Sequence, residues 1–262
     1  MSEQNESRPA VQSLDRAFQI LRTFDLDHPA RGVSEIARIV GLTPSTTHRL
    51  LTSLQENNLV RRTEDGRQFT LGSELMRLAQ VARNTVKLTD LARPILTWLR
   101  DQTEETAALH IIDPTPGRIV IDQIESLQPL RRTYTDLGEL IPLHQGAAGK
   151  VLLAHASEGL IELTLSRPLE KVTSRTLTDP VALRERLVSV HKKGYSLSVE
   201  ERIVGVCTAA VPVMDHTGTV NTAISISGPA SRVDRARMMS FLPYLRSGAD
   251  DLSRELGARR KP

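Results

Sequence analysis

Residues 31–71, RGVSEIARIVGLTPSTTHRLLTSLQENNLVRRTEDGRQFTL, constrain the fold more than any other stretch of this chain. They read as a helix, a tight turn, a second helix, and two short strands joined by a charged turn containing glycine. That is the layout of a winged helix-turn-helix, which lays its second helix in a DNA groove. Ser34 stands where an N-cap belongs, and Ile36, Ala37, Ile39 and Val40 follow as a short apolar stripe. Gly41 sits at the stop position, where positive φ costs little without a Cβ. Thr43 and Pro44 supply a second cap and a first-turn proline. Leu50, Leu51 and Leu54 face inward, leaving Ser45, Thr46, His48, Arg49 and Ser53 on other faces. Thr46 and Thr47 are poor interior helix formers. Propensity does not explain them, whereas short hydroxyls reaching phosphates or base edges do.

The wing follows. Runs 59–63 and 68–71 are strand-like, and Asp65-Gly66 between them is a hairpin signal. Arg61, Arg62 and Arg67 are then placed to meet the phosphate backbone. Taken singly, these features have plainer readings: a capped surface helix, and three solvated arginines. In this order they point to DNA.

The totals bound the rest. At 262 residues the chain holds one large or two ordinary domains. The formal net charge is only +3, and the first 84 residues carry eleven arginines, no lysine and ten acids. Affinity for DNA must therefore come from local placement, and a dimer that doubles the phosphate contacts is favoured. One cysteine, Cys207, excludes an internal disulfide framework and an all-cysteine metal site. The polar start and the lack of a long apolar run predict a soluble, cytoplasmic protein with no membrane partner.

Residues 1–10 read as a disordered tail. Residues 11–24 read as an amphipathic helix with Ser13 as its cap, completing a DNA-binding domain over 11–72. A linker helix is expected over 73–87, with Arg83-Asn84-Thr85 as the joint. The remaining domain, 88–258, opens with a helix carrying Pro94 as a kink or new start. Strands then alternate with turns, and helices are expected over 146–155, from Asp179-Pro180 to about Lys193, and at the end. Mixed strands with grouped helices predict an α+β fold.

At this point the chain resembles the isocitrate lyase regulator (IclR) family of bacterial transcription factors. The resemblance rests on SLDRAFQILRTF, VSEIARIVGLTPSTTHRLLTSLQENNLVRR and FTLG, and, more specifically, on LGELIPLHQGAAGKVLLA, KKGYSLSVEE, GVCTAAVPVMD and NTAISISGP. It implies a winged helix-turn-helix, a linker helix and a GAF-like effector domain. It also implies homodimers, often tetramers, on near-palindromic operators of catabolic genes, responding to small organic acids. Carried over by position, the effector pocket lies among Gly146, Ala147, Ala148, Ser198, Thr208, Ser225 and Ser227.

The residues give their own case. The glycines open a helix whose free N–H groups and dipole suit a carboxylate, although a tight turn explains them as well. Ser225 and Ser227 share a strand face, although that face can simply be solvated. Many family members carry an acid at the position of Ser198 and cysteine at that of Thr208. The pocket is therefore expected to be less charged than in relatives that bind two- or three-carbon keto acids, with a larger or more apolar effector such as an aromatic acid. Cys207, one step along the strand, should face the other way.

Two other classes compete. An enzyme would need a site, yet the seven histidines form no spaced metal motif with Cys207, and no nucleophile elbow, P-loop or dinucleotide signature is present. His144 beside Gly146 reads as structural. No cofactor is expected. A winged-helix interaction or architectural module would have no saturable small-molecule site.

Overall fold

A computed structural model describes residues 12–25, 27–78, 87–113, 115–134 and 137–258. The chain divides into two compact units, Met1–Val86 and Lys87–Pro262. The first holds α1 (Gln12–Leu21), β1 (Ala30–Arg31), α2 (Val33–Val40), α3 (Pro44–Glu56), β2 (Val60–Arg62) and β3 (Phe69–Leu71). The strands form an antiparallel sheet in the order β1-β3-β2. Ile20, Phe24, Ile36, Leu51, Leu54, Val60 and Phe69 are its buried core, so each helix contributes its apolar stripe to one cluster.

The punctuation of α2 and α3 is chemical. Gly41 ends α2 in the left-handed region at φ 67°, its N–H reaching the Ala37 carbonyl. Thr43 caps α3, its hydroxyl oxygen accepting from the Thr46 N–H, with Pro44 at the first position. Ser34 is not a cap: Gly32 holds that position, and Ser34 is an exposed residue one step inside α2. Ser13 likewise lies within α1. Arg31 is buried and donates to the Thr23 carbonyl at 2.8 Å while pairing with Glu35, which ties the end of α1 to α2. Residues 73–78 continue helically, whereas the expected tail, the 83–85 joint and the rest of the expected linker helix up to residue 86 lie outside the described residues.

The second unit runs α4 (Leu88–Thr103), β4 (Thr106–Asp113), β5 (Gly117–Ile124), β6 (Ile141–Pro142), α5 (Gly146–Ala154), α6 (Glu158–Leu165), α7 (Pro180–Lys193), β7 (Ser196–Val199), β8 (Val206–Val213), β9 (Thr222–Pro229) and α8 (Arg235–Glu255). Helix α4 passes through Pro94 and does not restart there. The six strands form one antiparallel sheet in the order β6-β5-β4-β9-β8-β7. Directly opposed residues share a face, so the pairings sort the sheet into two sides. One side carries Ala107, Leu109, Cys207, Ala209, Val211, Ile224 and Ile226, packed under α4 and α8. The other carries Ala210 and Ala223 under α5 and α7. Cys207 is thus core, facing away from Thr208. No described helix is long and apolar enough to cross a membrane.

Candidate functional site

Two surfaces carry chemistry, one in each unit. In the first, Ser45, His48, Arg49, Thr52, Ser53 and Glu56 line a shallow concavity along α3. Their spacing of three and four residues places them on one exposed face. The wing turn is built by Gly66 at φ 71° and by Asp65, whose carboxylate accepts from the Thr63 hydroxyl at 2.6 Å and the Arg67 N–H at 3.1 Å. Those hydrogen bonds hold the Asp65 carboxyl below its ordinary pKa. Arg62 bridges helix and wing, meeting His48 Nε2 at 3.3 Å and the Gly66 carbonyl at 2.8 Å, with its guanidinium 4.7 Å from the Phe69 ring. Arg49, Arg61 and Arg67 are exposed, and no ion pair engages them among the described residues.

Thr47 corrects the sequence reading. It is fully buried, and its hydroxyl donates to the Thr43 carbonyl at 3.0 Å. The chain absorbs a β-branched residue here because that hydroxyl stays within the helix's own hydrogen bonding. Thr46 is half-buried and its hydroxyl accepts from Thr43 at 2.9 Å. Thr43 and Thr46 therefore build the helix start, while Ser45, His48, Arg49 and Ser53 stay on the exposed face. Thr52 and Glu56, which share that face, were not anticipated.

In the second unit, the cavity side of the sheet carries a polar strip. Ser198 opposes Thr208, and Thr208 opposes Ser227, across β7, β8 and β9. Ser225 and His110 lie one step along on β9 and β4. A bulge leaves Ile121 of β5 unpaired between Leu109↔Asp122 and His110↔Val120, and bulges of this kind re-aim side chains beside sites. A small cavity, partly open to solvent, lies above this strip. Gly146, Ala147, Ala148, Ser198 and Thr208 line it, as the resemblance implied.

Ser225 and Ser227 stand behind that lining. The Ser225 hydroxyl lies 2.8 Å from His110 Nε2, and the Ser227 hydroxyl lies 2.9 Å from the Thr208 hydroxyl and 3.2 Å from that of Tyr134. Both serines are fully buried, so they position cavity residues.

Sequence reasoning missed the strongest groups. Arg118, Arg132 and Arg202 all line the cavity, with His110 and Tyr134. This cavity is cationic. The arginines come from β5 and from two loops outside the blocks that located the site. Arg118, alone in an apolar strand run, was the available signal. It is 3% exposed, and its Nη1 lies 2.9 Å from His110 Nδ1. An arginine only donates, so Nδ1 accepts and Nε2–H donates to Ser225. His110 is thus neutral, and burial, reinforced by Arg118, Arg202 and Arg132, holds it well below the ordinary imidazole pKa. Burial likewise lowers Arg118 to about 10, with Tyr134 opposing and Arg202 and Arg132 adding, which leaves it charged at neutral pH. Its Nε is buried without a hydrogen-bond partner among the described residues.

Arg202 is held by its loop. Fully buried Lys150 pairs with Glu201, and the hydroxyls of Thr173 and Thr176 donate to the carbonyls of Glu200 at 2.8 Å and Glu201 at 2.7 Å. His144, as read, is structural: it is buried, and its Nε2 lies 2.9 Å from the Glu170 carbonyl. Among the described residues, no group of three His, Cys, Asp or Glu side chains is placed to hold a metal ion.

Comparison with known proteins decides the family. Residues 13–64 match the IclR helix-turn-helix domain, and residues 80–254 match the bacterial transcriptional regulator IclR C-terminal domain. The chain belongs to the IclR family. The transcriptional repressor IclR of Escherichia coli K12 is 32% identical over 252 residues, spanning 95% of this chain and 92% of its own. The regulator BhcR of Paracoccus denitrificans is 33% identical over 258 residues, spanning 97% and 91%. A solved IclR transcriptional regulator from Silicibacter sp. TM1040 matches with a TM-score of 0.87 at 25% identity, covering 95% of this chain and 98% of the other. An IclR homologue from Microbacterium hydrocarbonoxydans, solved in complex with 4-hydroxybenzoate, matches with a TM-score of 0.60 at 26% identity, covering 93% and 98%. This IclR-family chain is a DNA-binding transcriptional regulator.

Proposed function

We propose that this chain governs a catabolic operon by binding a near-palindromic operator through α3 and the wing, under the control of a small organic acid held in the second unit. The observation that carries the reading is the coexistence, in one chain, of an exposed α3 face and wing bearing Arg49, Arg61 and Arg67, and a cationic, partly enclosed cavity. Ser45, His48, Arg49 and Ser53 read the major groove, and Arg61 and Arg67 meet phosphates on either side. Arg62 holds the wing against α3 and contributes a charge at the same surface. Ser34, exposed at the start of α2, is placed for a backbone contact.

The working unit is a homodimer, itself able to pair, acting in the cytoplasm. Two heads must span half-sites roughly one helical turn apart or a multiple of it. Acid binding that reorients the heads through the linker alters the fit, with a coupling on the order of 1–3 kcal/mol. The acid is sensed and released unchanged. Relatives support this reading, since one is named an acetate operon repressor and another was solved with 4-hydroxybenzoate.

Fluorescence anisotropy of the chain's own promoter fragment, with and without a panel of organic acids, tests the reading. Saturable, acid-dependent binding with the acid recovered chemically intact is expected. Acid consumption would indicate an enzyme, and DNA binding indifferent to both sequence and acid would indicate an architectural module.

A further inference from the structure

We infer that the ligand of the second unit is a small organic dianion bearing two carboxylates, clasped by Arg118, Arg132 and Arg202 over the N-terminus of α5. This deepens the reading that an acid binds there and rests on it.

The argument begins with a charge count. Three guanidinium groups line one small cavity. Among the described residues, only Arg202 has a carboxylate partner, Glu139 at 3.6 Å, and that carboxylate is more than half exposed. Arg132 donates to the Thr133 carbonyl and stacks 4.2 Å from the centre of the Tyr134 ring. Arg118 is buried against a neutral imidazole. Among the described residues, two positive charges are therefore left without a protein anion, one of them almost wholly out of water. A buried unpaired charge is among the most expensive features a fold can carry. A ligand with one negative charge offsets one of the two, and a dianion offsets both.

The geometry supports two carboxylates held apart. The cations come from separate elements: Arg118 from β5, Arg132 from the loop after it, and Arg202 from the loop between β7 and β8. One carboxylate accepts a bidentate pair from a single guanidinium fork, so cations arranged around a cavity suit more than one anionic group. Arg118 is aimed. The chain Ser225–His110–Arg118 fixes its plane, and its Nη2 sits 3.8 Å from where a Cβ on Gly146 would stand. Gly146 adopts φ 76° and opens α5, a nine-residue helix, so the first N–H groups of that helix and the Arg118 fork converge on one spot. Ala147, Ala148, Ile203 and Val206 give the cavity an apolar floor for a short carbon spacer, and Ser198, Thr208 and Tyr134 add hydroxyls.

Calorimetry on the full chain tests this with the dicarboxylates from oxalate to adipate and phthalate. Butyrate, benzoate and inorganic phosphate serve as comparators. At least one dicarboxylate should bind at least tenfold more tightly than any monocarboxylate, and Arg132→Gln and Arg202→Gln should each reduce that preference at least fivefold. Arg118→Gln should abolish it while leaving the thermal midpoint unchanged or raised, because the variant removes a buried unpaired charge. Equal binding of mono- and dicarboxylates, lost in Ser198→Phe, overturns the dianion and leaves the acid-sensing reading standing. Phosphate binding tighter than every diacid overturns the two-carboxylate assignment. Absence of binding by every acid overturns both.

Discussion

Thr43 and Thr47 sit four residues apart on α3 and do different work. Thr43 caps the helix from an exposed position, and Thr47 is buried and bonded to the Thr43 carbonyl. Thr43→Ala should cost about 1 kcal/mol of stability in denaturant unfolding, the usual loss of a hydroxyl cap. Thr47→Val should leave operator affinity within about twofold, because the side chain is fully buried in the unit's interior. Arg49→Ala should weaken operator binding by about 1–3 kcal/mol if it reads a base, and should lower the slope of log affinity against log salt by about 1 if it contacts phosphate. In either case acid affinity should be unchanged.

The buried histidines give a residue-level dependence on pH. Burial lowers the pKa of His110, His144 and His155, with nearby cations adding to the effect at His110. Below the ordinary imidazole pKa of about 6.5 the unfolded chain takes up protons that the folded chain does not. Stability should therefore fall as pH drops from 7 to 5, ahead of any loss from Asp65, Glu125 and Asp215, whose carboxyl pKa values are held below the ordinary carboxylate range. Thermal midpoints measured across this range should decline, and His110→Gln should flatten the decline. A midpoint constant from pH 7 to 5 would contradict it.

At the level of elements, α5 is closely packed along its whole length. Every residue from Gly146 to Ala154 is buried, and a Cβ on Gly149 would stand 2.3 Å from the Leu143 carbonyl oxygen. Gly149→Ala should therefore destabilise the second unit by about 1–3 kcal/mol, the usual cost of overpacking, and should weaken acid binding, because the displaced helix carries the cavity's floor. Gly159→Ala, where a Cβ meets nothing within 4 Å, is the control.

How much was legible follows from where the signals are local. Gly41, Thr43-Pro44 and Asp65-Gly66 act within a few residues, so the boundaries of α3 and the wing could be read directly. The cap of α2 could not, because glycine at position 32 competes with serine at position 34 and only the backbone decides between them. In the second unit the blocks around Gly146, Ser198, Thr208 and Ser225 located the cavity. They did not reveal its charge. Arg118 and Arg202 meet there only because β5 and β7 lie on either side of the central strands of one sheet while the loop after β7, tethered by Lys150, Thr173 and Thr176, folds back over it. No periodicity in a single sequence reports such a closure.

For the whole molecule, the two surfaces matter only if each senses the other. Binding linkage is reciprocal: a factor by which acid alters operator affinity is the factor by which operator alters acid affinity. The most direct test titrates the full chain onto its fluorescent promoter fragment at fixed salt, with and without a saturating dicarboxylate, and then titrates the acid with and without DNA. Operator affinity should shift at least fivefold, the lower end of roughly 1–3 kcal/mol of coupling, and acid affinity should shift by the same factor. Operator affinity unmoved by saturating acid would contradict the account.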